Sequence, residues 1–200
     1  MQHAPVSPLS IEDYLKGELK SDIRHEYYDG QVYAMAGAGE RHNTISGNIF
    51  SLLRQNTRGT SCRAFIADMK LYIAELNRFY YPDILLACDA NDNHEYYKEK
   101  PCLIVEVLSP STEATDRREK LHAYQNIPAL KEYVMVVQDE PRVELYRRMN
   151  DGWHYFLLDK DDTLQLECMD VVIPMSAIYE DVEFPVNRVM DDRPDYSLKL

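Results

Sequence analysis

Basic residues are scarce in this chain. Over 200 residues, 22 Lys and Arg face 34 Asp and Glu, a formal net charge of −12. Sequence-independent affinity for nucleic acid comes mainly from Lys and Arg neutralising phosphates, so a protein that coats polyanions over its whole surface is excluded. A polyanion would have to meet a local basic patch, or a site whose metal cancels the carboxylates. Long apolar runs are missing too. None approaches the ~20 residues that a membrane span requires, and residues 1–10 hold neither the basic nor the apolar segment of a secretory leader. The expectation is a soluble, cytoplasmic protein with no membrane contact. The four cysteines, Cys62, Cys88, Cys102 and Cys168, show no C-x-x-C spacing, which argues against a zinc site or redox pair and for buried free thiols. No repeat or low-complexity tract appears. The length suits one buried core rather than two, so one domain over 1–200 is expected, ordered over about 11–182, with a loose polar tail at 190–200.

What is present reads as a mixed α/β pattern. Ser10-Ile-Glu-Asp13 resembles a capping box opening a helix over 11–20. Asp29-Gly30, between two arms bearing Tyr and Val, signals a tight hairpin over 24–36. Ile45, Ile49, Phe50, Leu52 and Leu53 form the stripe of a helix over 40–57, ended by Gly59. Strands are expected at 62–66, 70–75, 81–88 and 102–108, with an exposed, mobile loop at 89–100. After a turn at 109–112, a helix to about 126 crosses over to a strand at 131–137 that should lie parallel to 102–108. A hairpin over Asn150-Asp-Gly152 and short C-terminal strands follow.

Two carboxylates interrupt these apolar strands. Asp83 follows Tyr-Tyr-Pro, and Glu106 lies between Val105 and Val107. Burying an unpaired carboxylate is costly, so each asks for a partner. If 81–88 and 102–108 pair antiparallel, Asp83 and Glu106 come together. Mg²⁺, or Mn²⁺ in its place, needs only one or two carboxylates plus substrate phosphate and water, and the Val107 carbonyl is within reach as a third oxygen. Such an ion could activate water and neutralise a scissile phosphate. Lys120 is the candidate cation for the developing charge; the bland alternative for Glu106 is an inert buried ion pair with Lys120 or Arg117. Asp116 reads as a helix N-cap or first-turn residue rather than a ligand. Glu26 is a candidate outer ligand and His42 a candidate proton-handling group. Arg41, Arg54, Arg58, Arg63, Arg117 and Arg118 are the only visible candidates for a phosphate-facing patch, with a solvated face as the competing account.

Tyr-Pro-Asp83, Val-Glu106-Val-Leu-Ser-Pro-Ser-Thr112, Asp116, Lys120, Tyr124 and Glu-Tyr133 resemble the Uma-type restriction endonuclease family of the PD-(D/E)XK nuclease superfamily. The Asp29-Gly30-Gln-Val-Tyr hairpin and His42 are similar to its N-terminal half, so the likeness spans about 11–182. It implies a restriction-endonuclease-like core, a mixed sheet flanked by helices with an extra N-terminal hairpin and C-terminal strands. It also implies Asp83 and Glu106 as metal ligands and DNA as substrate; because two nicks on a duplex need two sites, a homodimer is expected. One position departs from the superfamily pattern: Leu108 fills the slot two residues after the acidic ligand, where a lysine is expected. Lys120 is the geometric replacement. The competing functions are a nuclease-fold binding module without turnover and a metal hydrolase of a smaller phosphorylated substrate.

Overall fold

The computed structural model describes residues 8–185; the tail expected at 190–200 lies outside them. Helix α1 (Ile11–Glu18) is capped by Ser10, whose hydroxyl accepts from the Asp13 amide. Strands β1 (His25–Tyr28) and β2 (Gln31–Ala34) pair antiparallel across Asp29 and Gly30, both at positive φ as a tight primed turn requires. Helix α2 (Glu40–Asn56) follows, then β3 (Arg63–Ile66) and β4 (Lys70–Ile73).

The strand expected at 81–88 is present in shorter form, and a strand that was not expected precedes it in the other sheet. β5 (Arg78–Tyr80) pairs with β1 and β4, whereas β6 (Ile84–Ala87) pairs with β3 and β8 (Pro101–Leu108). Pro82 has no N–H to continue a ladder, so the chain turns the corner at residues 81–83 and leaves Asp83 at the junction. The expected mobile loop at 89–100 is also corrected. Asp92 and Lys98 are buried, Asp92 accepts from the Glu99 and Lys100 amides, and β7 (Tyr97–Lys98) joins β4 in parallel. A charged stretch looked like solvent-facing loop because its internal hydrogen bonds leave no mark on composition.

Helix α3 (Glu113–Thr115), a π turn (Asp116–Lys120) and α4 (Leu121–Gln125) run on as one crossover. They lead to β9 (Glu132–Val137), which lies parallel to β8 as expected. β10 (Val143–Met149) and β11 (Gly152–Leu158) form the next hairpin, β12 (Thr163–Leu166) and β13 (Val171–Pro174) a small ribbon, and α5 (Met175–Ile178) follows. Two larger sheets result, ordered β11-β10-β9-β8-β6-β3 and β2-β1-β5-β4-β7.

Side chains alternate across the six-stranded sheet. Ile84, Leu86, Leu103, Val105 and Val107 face α2 and the β12–β13 ribbon. Leu85, Ile104 and Leu108 face Tyr124, Tyr133 and, from the second sheet, Leu71, Ile73 and Tyr80. Glu106 shares the parity of Ile104 and Leu108, so it enters the layer between the sheets. Tyr14, Tyr27 and Phe79 close a smaller aromatic core under α1. No helix of the described residues is long and apolar enough to cross a membrane.

Two of the cysteines differ from expectation. Cys62 and Cys88 form a disulfide, while Cys102 and Cys168 are free. The β3–β6 register sets Arg63 opposite Ala87, so the flanking Cys62 and Cys88 meet although 26 residues separate them. Spacing along the chain could not reveal that.

Candidate active site

The β6–β8 register pairs Ile84 with Val105, so the next step outward brings Asp83 beside Glu106. The Asp83 amide donates to Glu106 Oε2 at 3.3 Å, and the Val107 amide donates to Asp83 Oδ2 at 2.7 Å. Val107 therefore positions Asp83 through its N–H. His42, in the first turn of α2, reaches the same oxygen with Nε2 at 3.0 Å, and its Nδ1 is buried without a hydrogen-bond partner. Burial works against the imidazolium, but the hydrogen bond and charge of Asp83, backed by Asp116, carry the His42 pKa above its ordinary value.

On the other side, Glu106 Oε1 accepts from Tyr124 Oη at 2.8 Å and from Lys120 Nζ at 3.1 Å. The π turn puts Lys120 and Asp116 inward together, Lys120 Nζ standing 3.1 Å from Asp116 Oδ1. The Asp116 carbonyl takes a further hydrogen bond from the Tyr133 hydroxyl. Asp116 is not an N-cap, since the crossover helix is capped at Thr112 and Asp116 lies within its first turn, and it is buried, only 1% exposed. Its Oδ1, though close to Lys120, has no well-aligned hydrogen bond. Glu26, on β1, approaches Lys120 at 3.4 Å and is steadied by the Tyr28 hydroxyl. Lys120 thus stands 3.1 Å from Glu106, while Leu108, two residues after Glu106, packs into the core.

Three carboxylates, Glu26, Glu106 and Asp116, surround the Lys120 ammonium, with Asp83 beside Glu106, and the charges set the pKa directions. Burial lowers the Lys120 pKa, but Glu106, Glu26 and Asp116 together hold it well above the ordinary lysine value. Burial, with Asp116 and Asp83 nearby, pushes the Glu106 carboxyl well up against the opposing pull of Lys120 and Tyr124. One cation cannot neutralise this set, and a proton or a second cation must share it. Among the described residues, no three acidic, imidazole or thiol groups stand together as a ready-made cage. The arrangement fits Mg²⁺, which takes one or two carboxylates and retains water, better than a metal that wants a closed protein shell.

The site opens into a cleft of about 1180 Å³ lined by Asp83, Glu106, Lys120, His42, Arg24 and Arg41, among others. Of the arginines considered from sequence, Arg41 alone lines it. Arg24 joins it without having been singled out. Both carry ion pairs, Arg24 to Asp68 and Arg41 to Asp139. Arg117 is instead tied to Glu113 and Glu144. Arg24 is the residue missed, and no sequence signal marks it. Asp116 stands among the family-like residues, at i, i+4 from Lys120, but reads from sequence as a helix-start residue rather than as part of the site.

The family profile described as "Uma2: Putative restriction endonuclease" matches residues 11–175. The chain belongs to this family. Two relatives of this Uma2 protein come from Synechocystis sp. (strain ATCC 27184 / PCC 6803 / Kazusa). "Uncharacterized protein slr1290" is 35% identical over 187 residues, covering 91% of this chain and 98% of the relative. "Uncharacterized protein sll1609" is 33% identical over 146 residues, covering 72% and 82%. A solved structure, that of "a putative nuclease belonging to DUF820" from Anabaena variabilis ATCC 29413, superposes with a TM-score of 0.68. Identity there is 17%, with 86% of this chain and 98% of that one covered, so the two share a fold.

Proposed function

We propose that this Uma2 protein is a Mg²⁺-dependent endonuclease that hydrolyses DNA phosphodiester bonds. The observation that carries the reading is the meeting of Asp83 and Glu106 at the mouth of a wide cleft, with a buried lysine 3.1 Å from Glu106. Asp83 and Glu106 would hold the ion, and the Val107 carbonyl is the candidate third oxygen. When bound, Mg²⁺, or Mn²⁺ in its place, polarises the phosphate and lowers the pKa of a water. Lys120 holds a fixed positive charge where the phosphorane charge develops. Glu26 and Asp116 keep its ammonium in place. His42, anchored by Nε2 on Asp83, is the candidate proton-handling group. A homodimer in the cytoplasm would offer one site to each strand of a duplex. The test is cleavage of supercoiled plasmid and of single-stranded DNA with Mg²⁺ or Mn²⁺, wild type against Glu106→Ala. Cleavage is expected to vanish in the variant, and activity that survives there disposes of the proposal.

A second reading has its own observation. Lys120 already makes close ion pairs with three carboxylates, as in a nuclease-fold binding module that has lost turnover. Calorimetric titration with Mg²⁺ and Mn²⁺ separates the two, since the module predicts no heat of metal binding.

A further inference from the structure

All four cysteines of the chain fall at one end of the six-stranded sheet, away from the carboxylate cluster. Neighbouring strands β3, β6 and β8 bring Cys62, Cys88 and Cys102 into a row, because Cys62 precedes β3, Cys88 follows β6 and Cys102 lies near the start of β8. Cys88 is bonded to Cys62 on one side. On the other, its Sγ stands 3.3 Å from the Cys102 Sγ. Cys168, in the turn between β12 and β13, completes the group. Its thiol is near enough to shift the titration of Cys102, and its amide donates to the buried carboxylate of Glu132.

We propose that this cluster is a thiol–disulfide exchange site in which Cys102 is the nucleophile and Cys88 the shared sulfur. The Cys102 thiolate attacks Cys88 Sγ, and the Cys88–Cys102 bond forms as the Cys62–Cys88 bond breaks. Cys62 leaves as the thiolate and takes up the proton that Cys102 gave to solvent. One disulfide is exchanged for another, so no external oxidant or reductant is consumed. The staple moves from edge strand β3 to central strand β8, and a half-buried Cys62 thiol is released at the surface, open to a mixed disulfide with a small thiol.

The local chemistry supports these roles. The thiolate is the attacking species in such exchanges. The neighbouring Cys168 thiol, aided by Lys131, holds the Cys102 pKa below its ordinary value despite burial. Cys168 goes the other way, pushed up by Cys102 and by burial. Cys102 is thus the more acidic thiol of the two and the readier to form the attacking thiolate.

Trypsin leaves each cysteine in a separate peptide, so connectivity can be read directly. The full chain, purified without reductant, is held at pH 8, quenched in denaturing acid, alkylated and mapped by mass spectrometry without reduction. Wild type is expected to give both Cys62–Cys88 and Cys88–Cys102 linked peptides, with alkylated Cys62. Cys102→Ser should give the first link alone, with Cys62 alkylation lowered by about tenfold or more. Cys168→Ser should retain the exchange but shift its pH profile upward, a change that loss of packing alone would not produce. A wild-type chain that holds only Cys62–Cys88, or that is fully reduced, overturns the proposal. The readout does not involve nuclease activity, so it stands or falls separately from the function proposed above.

Discussion

At the scale of single residues, burial sets the consequences of change around the lysines. Lys120 is enclosed with Glu26, Glu106 and Asp116, and removing one partner of a buried ion pair leaves uncompensated charge. Lys120→Ala is therefore expected to lose about 3–5 kcal/mol of stability, read by urea unfolding; a loss below 1 kcal/mol would mean that the carboxylates find water or protons cheaply. Lys70 is the opposite case. It is buried over the Tyr81 ring, with no ion pair among the described residues. Burial holds its ammonium below the ordinary lysine range, with Arg24 adding to the effect and Glu18 and Asp68 opposing it. The folded state thus binds fewer protons than the unfolded chain. The resulting penalty is fully present below the folded pKa and is relieved as pH rises toward the unfolded value of about 10.4. Lys70→Met, which keeps the apolar stem, should stabilise the protein at pH 7 by up to about 1 kcal/mol. That gain should shrink in melts taken near pH 10; an equal gain at both pH values would show that titration plays no part.

At the scale of elements, two glycines separate turn demands from helix propensity. Gly30 sits at φ +95 in the β1–β2 turn, where a Cβ would stand 2.5 Å from Pro8 Cβ, and its carbonyl accepts from the Leu9 amide. Gly30→Ala should cost more than about 1 kcal/mol through backbone strain and overlap. Gly17, inside α1 with open space at its Cβ position, should gain roughly 0.5–1 kcal/mol on mutation to Ala. Thermal melts of the two variants should move in opposite directions. The Asp-Gly turn was legible in sequence because a tight hairpin needs positive φ. So was the parallel β8–β9 pair, because a crossover helix leaves little other choice. Asp83 beside Glu106 followed from antiparallel pairing of two apolar runs. The π turn was not legible: one extra residue of winding leaves no trace in apolar periodicity, yet it turns both Asp116 and Lys120 inward. Nor was the break at Pro82, since Tyr80 and Ile84 are equally apolar and only their sheets differ.

At the scale of the whole molecule, charge is the constraint any substrate must meet. A chain of net charge −12 repels a polyanion over most of its surface, and the cleft sets Arg24, Arg41 and Lys120 against Asp83, Glu106 and further acidic residues such as Asp22, Glu40 and Asp68. For the endonuclease reading, DNA affinity must depend on the cation that cancels those carboxylates. Arg24 and Arg41 then supply what phosphate contact remains by giving up their exposed pairings with Asp68 and Asp139. Such pairings are worth about 0–1 kcal/mol and are readily exchanged. Two outcomes follow for fluorescence-anisotropy binding to a short duplex. With chelator, binding should be lost, and Ca²⁺, a hard oxygen-seeking ion, should restore it. In Ca²⁺, Arg24→Ala and Arg41→Ala should each lower the slope of log affinity against log salt by about 1. Affinity that is unchanged by chelator would place the DNA contact outside the carboxylate cleft, on a surface whose charge opposes it. Slopes unaltered in both variants would leave the bound cation as the sole attraction for phosphate there.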